Sequence, residues 1–161
     1  MLLNLIKRHT KSILIDPYAN AFNKDEFNSP WQTDETYKLV DGRKVPAMNQ
    51  KIWERKWELD SLISTLYFAD HFYRKTNDTS FITKDWLKGV YTIFDVVQKQ
   101  TLSTDEEDEL GEPEYFFQRS AKEPMDSLHH GRGNPAGSCG LIKSAFRSSD
   151  DAALFPYNIA E

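Results

Sequence analysis

Residues 144–152, Ser-Ala-Phe-Arg-Ser-Ser-Asp-Asp-Ala, crowd an aromatic ring, an arginine, serine hydroxyls and two adjacent carboxylates into one short run. A helix entry needs one capping oxygen and at most an acid or two in its first turn, so Phe146-Arg147 ahead of Asp150-Asp151 is an active-site composition. The plainer reading of the same run is a helix capped by Ser149 with two acids that compensate the dipole. Two further segments gather polar groups around aromatic rings: Asp16-Pro17-Tyr18-Ala19-Asn20-Ala21-Phe22-Asn23, and Trp53-Glu54-Arg55-Lys56-Trp57-Glu58-Leu59-Asp60-Ser61-Leu62. Donors and acceptors set beside rings suit a sugar, which has hydroxyls on its rim and an apolar C–H face.

Other clusters carry less. His129-His130 with Cys139 has no zinc spacing and no fourth ligand. The glycines of 131–137 lack the spacing of a dinucleotide fingerprint and the strand that should precede it. The acidic run 105–109 lacks the alternating ligands of a calcium loop and reads as solvated. Asn77-Asp78-Thr79 is a glycosylation sequon that matters only in a secreted chain.

The elements that must position these residues are mostly helical. Residues 2–15 read as a helix ended by Asp16-Pro17, because proline disfavours helix in the residue before it. From about 48 to 75 the apolar residues wrap nearly the whole circumference of a helical pattern, which predicts a helix buried on all sides. On it Glu54, Glu58, Ser61 and Thr65 form a polar stripe. From about 83 to 100, Trp86, Leu87, Val90, Ile93, Phe94 and Val97 recur on one face, which predicts a half-exposed helix. A buried helix joined through residues 77–80 to a one-faced helix is a hairpin with an inner and an outer member, the repeating unit of an α/α barrel. Residues 23–45, 105–114 and 123–140 read as loops, 115–119 as a short strand, and the chain from Ser149 onward as a last helix.

Composition excludes some classes of function. Hydrophobic content of 39% and aromatic content of 13% rule out a disordered chain. A net charge of -5 with no basic stripe argues against nucleic acid as a partner. The single Cys139 cannot form an internal disulfide, so no oxidising compartment is required and none is excluded. The opening Met1 to Ile6 reaches Lys7 and Arg8 too soon for a signal peptide's apolar region or a membrane span.

Taken in order, the three segments resemble glycoside hydrolase family 125, the metal-independent exo-α-1,6-mannosidases. The resemblance takes in Lys11-Ser12-Ile13-Leu14-Ile15, the stretch from Tyr67 to Ser80, and Gly140-Leu141-Ile142, and so runs through most of the chain. It implies an all-α fold, part of an (α/α)6 barrel, and inverting hydrolysis of a terminal α-1,6-linked mannose from a mannoside or N-glycan, without a cofactor or metal. It implies that Asp150 or Asp151 is the general acid, and that Arg147, Arg55, Glu58 and Asp60 contribute to the mannose-binding wall. Asp16, Tyr18, Asn20 and Asn23 would line or support the pocket mouth. A helix N-terminus favours an ionised carboxylate, so an acid placed there needs burial or a second carboxylate to raise its pKa.

The chain departs from the family where Ser148 stands in place of the usual proline, and in the residues after Ile159. The resemblance further implies that residues 1–161 are a partial barrel domain, without the Trp-Leu-Arg-Asp-Ser type segment upstream and the base-bearing glutamate downstream. The alternative expectation is a non-catalytic helical remnant that binds mannosides or serves as an interaction module.

Overall fold

The computed structural model describes residues 1–25, 49–111, 115–117, 128, 131–132 and 135–143. Arg147, Asp150, Asp151, the expected last helix and most of the expected 23–45 and 123–140 loops lie outside the described residues. What is described is a mostly helical assembly in which helix α1 (Leu2–Ile15) is followed by a short hairpin of strands β1 (Ala21–Phe22) and β2 (Ile52–Glu54). Helices α2 (Leu59–Thr76), α3 (Lys84–Gln100) and α4 (Thr104–Leu110) come after it. Helix α1 packs against both α2 and α3, more extensively than those two pack on each other.

Helix α1 follows the expected bounds. Its buried residues Ile6, Thr10 and Ile13 recur at four- and three-residue spacing, and the Thr10 hydroxyl satisfies itself on the Ile6 carbonyl at 2.9 Å. Asp16 closes the helix in an extended conformation ahead of Pro17, and its carboxylate accepts the Tyr18 amide at 2.8 Å, an Asx turn that swings the chain away.

The helix expected from residue 48 begins eleven residues later, at Leu59. Residues 52–54 instead form β2, antiparallel to β1 with Ala21 opposite Glu54 and Phe22 opposite Ile52. The four-residue spacing of Trp53 and Trp57 imitates a helix. What overrides it is tertiary: the Asn23 amide bonds the Lys51 carbonyl at 2.8 Å and its side-chain amide the Ile52 carbonyl at 3.2 Å, so 20–23 and 51–56 satisfy one another's backbones. Glu54 therefore lies on a strand and Glu58 at the N-cap of α2, and only Ser61 and Thr65 of the expected polar stripe are helical.

Nor is α2 buried all round. Its buried residues, Leu59, Leu62, Thr65 and Ala69, occupy one face, while Tyr67 and Tyr73 are 65% and 45% exposed. The described residues cover only that one face. Asn77 ends the helix in the left-handed region at φ 54°, donating its amide to the Tyr73 carbonyl.

The buried face of α3 is likewise rotated from the expected one: Gly89, Ile93, Val96 and Gln100 are buried, whereas Leu87 and Phe94 are 44% and 60% exposed. Gly89 lies across from the Thr10 methyl of α1, so the face turned to the partner helix is the one that carries the glycine. The start of α3 is fixed by Thr83, whose hydroxyl accepts the Trp86 amide at 3.1 Å.

The acidic run expected to be a loop is helix α4, closed by a full capping box in which Ser103 and Glu106 exchange bonds at 2.7 and 3.2 Å. The amide and hydroxyl of Ser103 hold the Glu106 carboxyl below its ordinary range. Tyr115–Phe117, expected to be in a strand, joins no ladder; its buried rings enter the core instead, and Phe117 bonds Gly131 and Leu128 through the backbone. The main core gathers Ile13, Trp57, Leu62, Ile93, Val96 and Phe117, so α1, α2, α3 and the segments after α4 share one interior.

Candidate functional site

Where the C-terminal end of α1 meets the N-terminal end of α2 the surface opens into a cavity of about 620 Å³. Asp16, Asn20 and Asp60 line it together with Ser12, Ser61, Ser64 and the ring of His9, and Phe22 and Phe68 supply apolar walls. Carboxylates, an amide, hydroxyls and aromatic faces in one concavity form a set that can bind a polyol. Two of the three expected segments therefore converge, although they lie about forty positions apart in the chain.

Three sets of bonds bring them together. The Asp16 carboxylate that caps the turn also accepts the Arg55 Nε at 2.6 Å. Asn20 is used at both ends, its Oδ1 accepting the Lys56 amide at 3.1 Å and its Nδ2 donating to Glu54 at 3.2 Å. Arg55 is sandwiched: its guanidinium carbon sits 5.3 Å from the Tyr18 ring and 5.2 Å from that of Tyr115. The Tyr115 hydroxyl accepts the Trp57 amide at 2.9 Å and donates to the Arg55 carbonyl at 2.7 Å.

The expected site residues thus fall into different places. Asp16, Asn20 and Asp60 are at the cavity. Arg55 and Tyr18 stand behind it, Tyr18 almost fully buried with its hydroxyl accepting the Gln100 side-chain amide at 3.1 Å. Glu58 begins α2 and accepts the Ser61 hydroxyl at 3.0 Å, while Asp60 projects from the first turn, where the helix dipole favours its charge.

Sequence reasoning missed His9, Ser12, Ser64, Gln100 and Tyr115. Ser12 shared a signal with Asp16, four positions on along α1, and Ser61 and Ser64 are spaced to share a face of α2. The His9 ring nitrogen lies 3.4 Å from the Ser64 hydroxyl and the ring meets Phe68 edge-on. Burial, and secondarily the neighbouring Arg8, push the His9 pKa below 6.5.

The model of the metal-independent α-mannosidases, glycoside hydrolase family 125, matches residues 1–161. The chain belongs to this family. It is 35% identical over 168 residues to the meiotically up-regulated gene 157 protein of Schizosaccharomyces pombe, covering 99% of this chain and 32% of that one. A solved structure of a Streptococcus pneumoniae metal-independent α-mannosidase, in a non-productive complex with α-1,6-mannobiose, superposes with a TM-score of 0.78 at 30% identity. That match covers 98% of this chain and 34% of the bacterial one. Residues 1–161 therefore span about a third of the length of each relative. The fold is that of a mostly helical domain related to the six-hairpin glycosidases, with four helices among the described residues. No helix among the described residues is long and apolar enough to cross a membrane.

Proposed function

We propose that this chain is part of an (α/α)6-barrel exo-α-1,6-mannosidase that removes terminal, non-reducing α-mannose from mannosides or N-glycans with inversion. The observation that carries the reading is the family match over residues 1–161. The bacterial relative's complex with α-1,6-mannobiose supports the choice of linkage.

In this reading the 620 Å³ cavity forms one wall of the mannose site. Asp60, Asp16 and Asn20 accept from or donate to sugar hydroxyls, and Phe22 and Phe68 face the C–H surface. Arg55 and Tyr18 hold that wall in place, Glu58 sets the start of α2, and Arg147 completes the polar contacts from the third segment. Asp150 or Asp151 protonates the leaving glycosidic oxygen. A glutamate outside residues 1–161 removes a proton from water on the opposite face of the ring, with the two carboxyl groups about 6.5–9.5 Å apart to admit that water. The C1–O bond breaks as the water oxygen bonds to C1, so the first product is β-mannose.

The test uses the full-length natural polypeptide that carries residues 1–161. Proton NMR of α-1,6-mannobiose turnover should show the β-anomer before mutarotation. Of Asp150→Asn and Asp151→Asn, the one that removes the acid should lower kcat by about 10²–10⁴. Retention of configuration, or full turnover in both variants, would sink the mechanism. Mannobiose binding without turnover in the unaltered protein would make it a mannoside-binding protein instead.

A further inference from the structure

Two rows of side chains run along the cavity, one on each helix. On α1, His9, Ser12 and Asp16 follow one another at three- and four-residue spacing, and all three line it. On α2, Ser61, Ser64 and Phe68 repeat the same spacing along the opposite side. The end of α1 meets the start of α2, so Asp16 and Asp60 share the mouth. His9 and Ser64 share the far end, where Nδ1 of the one lies 3.4 Å from Oγ of the other.

This far end lies beyond the reach of a single sugar bound at the mouth. At about 1.5 Å per residue, His9 stands about 10 Å along α1 from Asp16, more than one pyranose ring spans. The cavity volume of about 620 Å³ is of the size that encloses a drug-sized ligand, which fits a disaccharide better than one hexose.

The hydrogen-bond network at the far end leaves one acceptor unused. The Ser64 hydroxyl has a single proton, and it goes to the Ser61 carbonyl at 3.1 Å. The contact with His9 therefore places the imidazole proton on Nδ1, donating to Ser64, and leaves Nε2 as the bare nitrogen of the neutral ring. Among the described residues nothing donates to Nε2. Burial, with the neighbouring Arg8, keeps the half-buried ring neutral, and Phe68 meets it edge-on with centroids 5.6 Å apart, which fixes its plane. The Ser64 contact is long for a hydrogen bond, so it orients the ring more than it ties the helices together.

We propose that this end of the groove is a subsite for the second sugar of an α-1,6-mannoside, and that His9 Nε2 accepts one of its hydroxyls; the subsite rests on the mannosidase reading above. A half-buried acceptor without a donor is costly, and a sugar hydroxyl supplies the donor. Ser12 adds a hydroxyl between this position and the mouth, where Asp16 and Asp60 meet the first sugar.

The experiment measures calorimetric binding of two uncleaved probes to the full-length natural polypeptide: methyl α-mannoside, with one sugar, and α-1,6-mannobiose carrying sulfur in place of its glycosidic oxygen. His9→Leu should weaken binding of the thio-linked disaccharide by about threefold to tenfold and leave methyl α-mannoside within about twofold. Ser64→Ala, which frees the ring without removing it, should show the same split with a smaller loss. His9→Gln keeps an acceptor on the side chain and should recover part of the disaccharide affinity. Retained binding of methyl α-mannoside also reports that each variant is folded.

Unchanged disaccharide affinity in His9→Leu overturns the subsite. So do equal losses on the two probes in both His9→Leu and Ser64→Ala, which would make the pair a packing contact between helices. An unaltered polypeptide that neither binds methyl α-mannoside nor cleaves α-1,6-mannobiose overturns the mannosidase reading itself, which keeps the two failures apart.

Discussion

Replacement of Arg55 by glutamine should unfasten the wall of the candidate site and destabilise the chain by about 4 kcal/mol. The Arg55 and Asp16 side chains are 12% and 17% exposed and meet at 2.6 Å. Removing one partner from a buried pair costs about 3–5 kcal/mol, chiefly because the other charge stays behind uncompensated, and the residual exposure of this pair puts it near the lower figure. The ring contacts to Tyr18 and Tyr115, at 5.3 and 5.2 Å, add about 0.5 kcal/mol each. In urea, with a slope of about 2 kcal/mol per molar, the midpoint should drop by about 2 M at unchanged slope. Arg55→Lys keeps the charge but loses the planar group between two rings, so about half of the effect should persist. With Asp16→Asn as the second mutation, a double-mutant cycle should return a coupling of about 2 kcal/mol. A midpoint shift below about 0.3 M for Arg55→Gln, or strict additivity with Asp16→Asn, would refute the claim that this pair joins the first and second segments.

Gly131→Ala should be more damaging still for its size: at φ 73° an added Cβ would overlap the ring of buried Phe116, and thermal denaturation should show a loss of about 2–3 kcal/mol. His9→Gln should flatten the pH dependence of stability. The folded-state pKa of His9 lies below 6.5, so the unfolded chain binds its proton first, and stability is full above about 6.5 and declines as pH falls below it. Melting temperatures from pH 7 to pH 5 should therefore fall less steeply in the variant, and parallel slopes would count against burial of the ring. Asp60→Asn, at an exposed position of the cavity, should leave the unfolding free energy measured in urea within about 0.5 kcal/mol of the unaltered chain. It should weaken mannoside binding by calorimetry about tenfold, the loss of one charge-assisted hydrogen bond.

How much of this was legible differs from element to element for physical reasons. Helix α1 was readable to the residue because Ile6, Thr10 and Ile13 keep helical spacing and Pro17 punctuates the end. Residues 52–57 were not, since Trp53 and Trp57 carry a helical period while the partners that make β2 a strand, Asn20 and Asn23, lie some thirty positions upstream. Helix α4 was legible and overlooked: Ser103 with Glu106 is a capping box, and the acids that follow suit a first turn. The buried face of α3 could not be ranked by hydrophobicity, because Gly89 and Gln100 outcompete Leu87 and Phe94 through close helix approach and one hydrogen bond.

The candidate site shows a further limit of reading residue types. Asp16, Arg55 and Asn20 have the chemistry of sugar-binding groups, yet each also spends that chemistry on the chain: Asp16 on Tyr18 and Arg55, Asn20 on Glu54 and Lys56. Because a carboxylate has two oxygens and an amide two faces, the same side chain can face a cavity and hold its wall. A loss of activity in Asp16 or Asn20 variants then reports geometry and contact together. Asp60 differs in exposure: its first-turn position leaves it exposed at the mouth, where its carboxylate accepts the adjacent Ser61 amide. The exposure of Asp60, against the burial of Arg55 and Asp16, makes it the position at which contact with substrate is most nearly separated from packing of the wall.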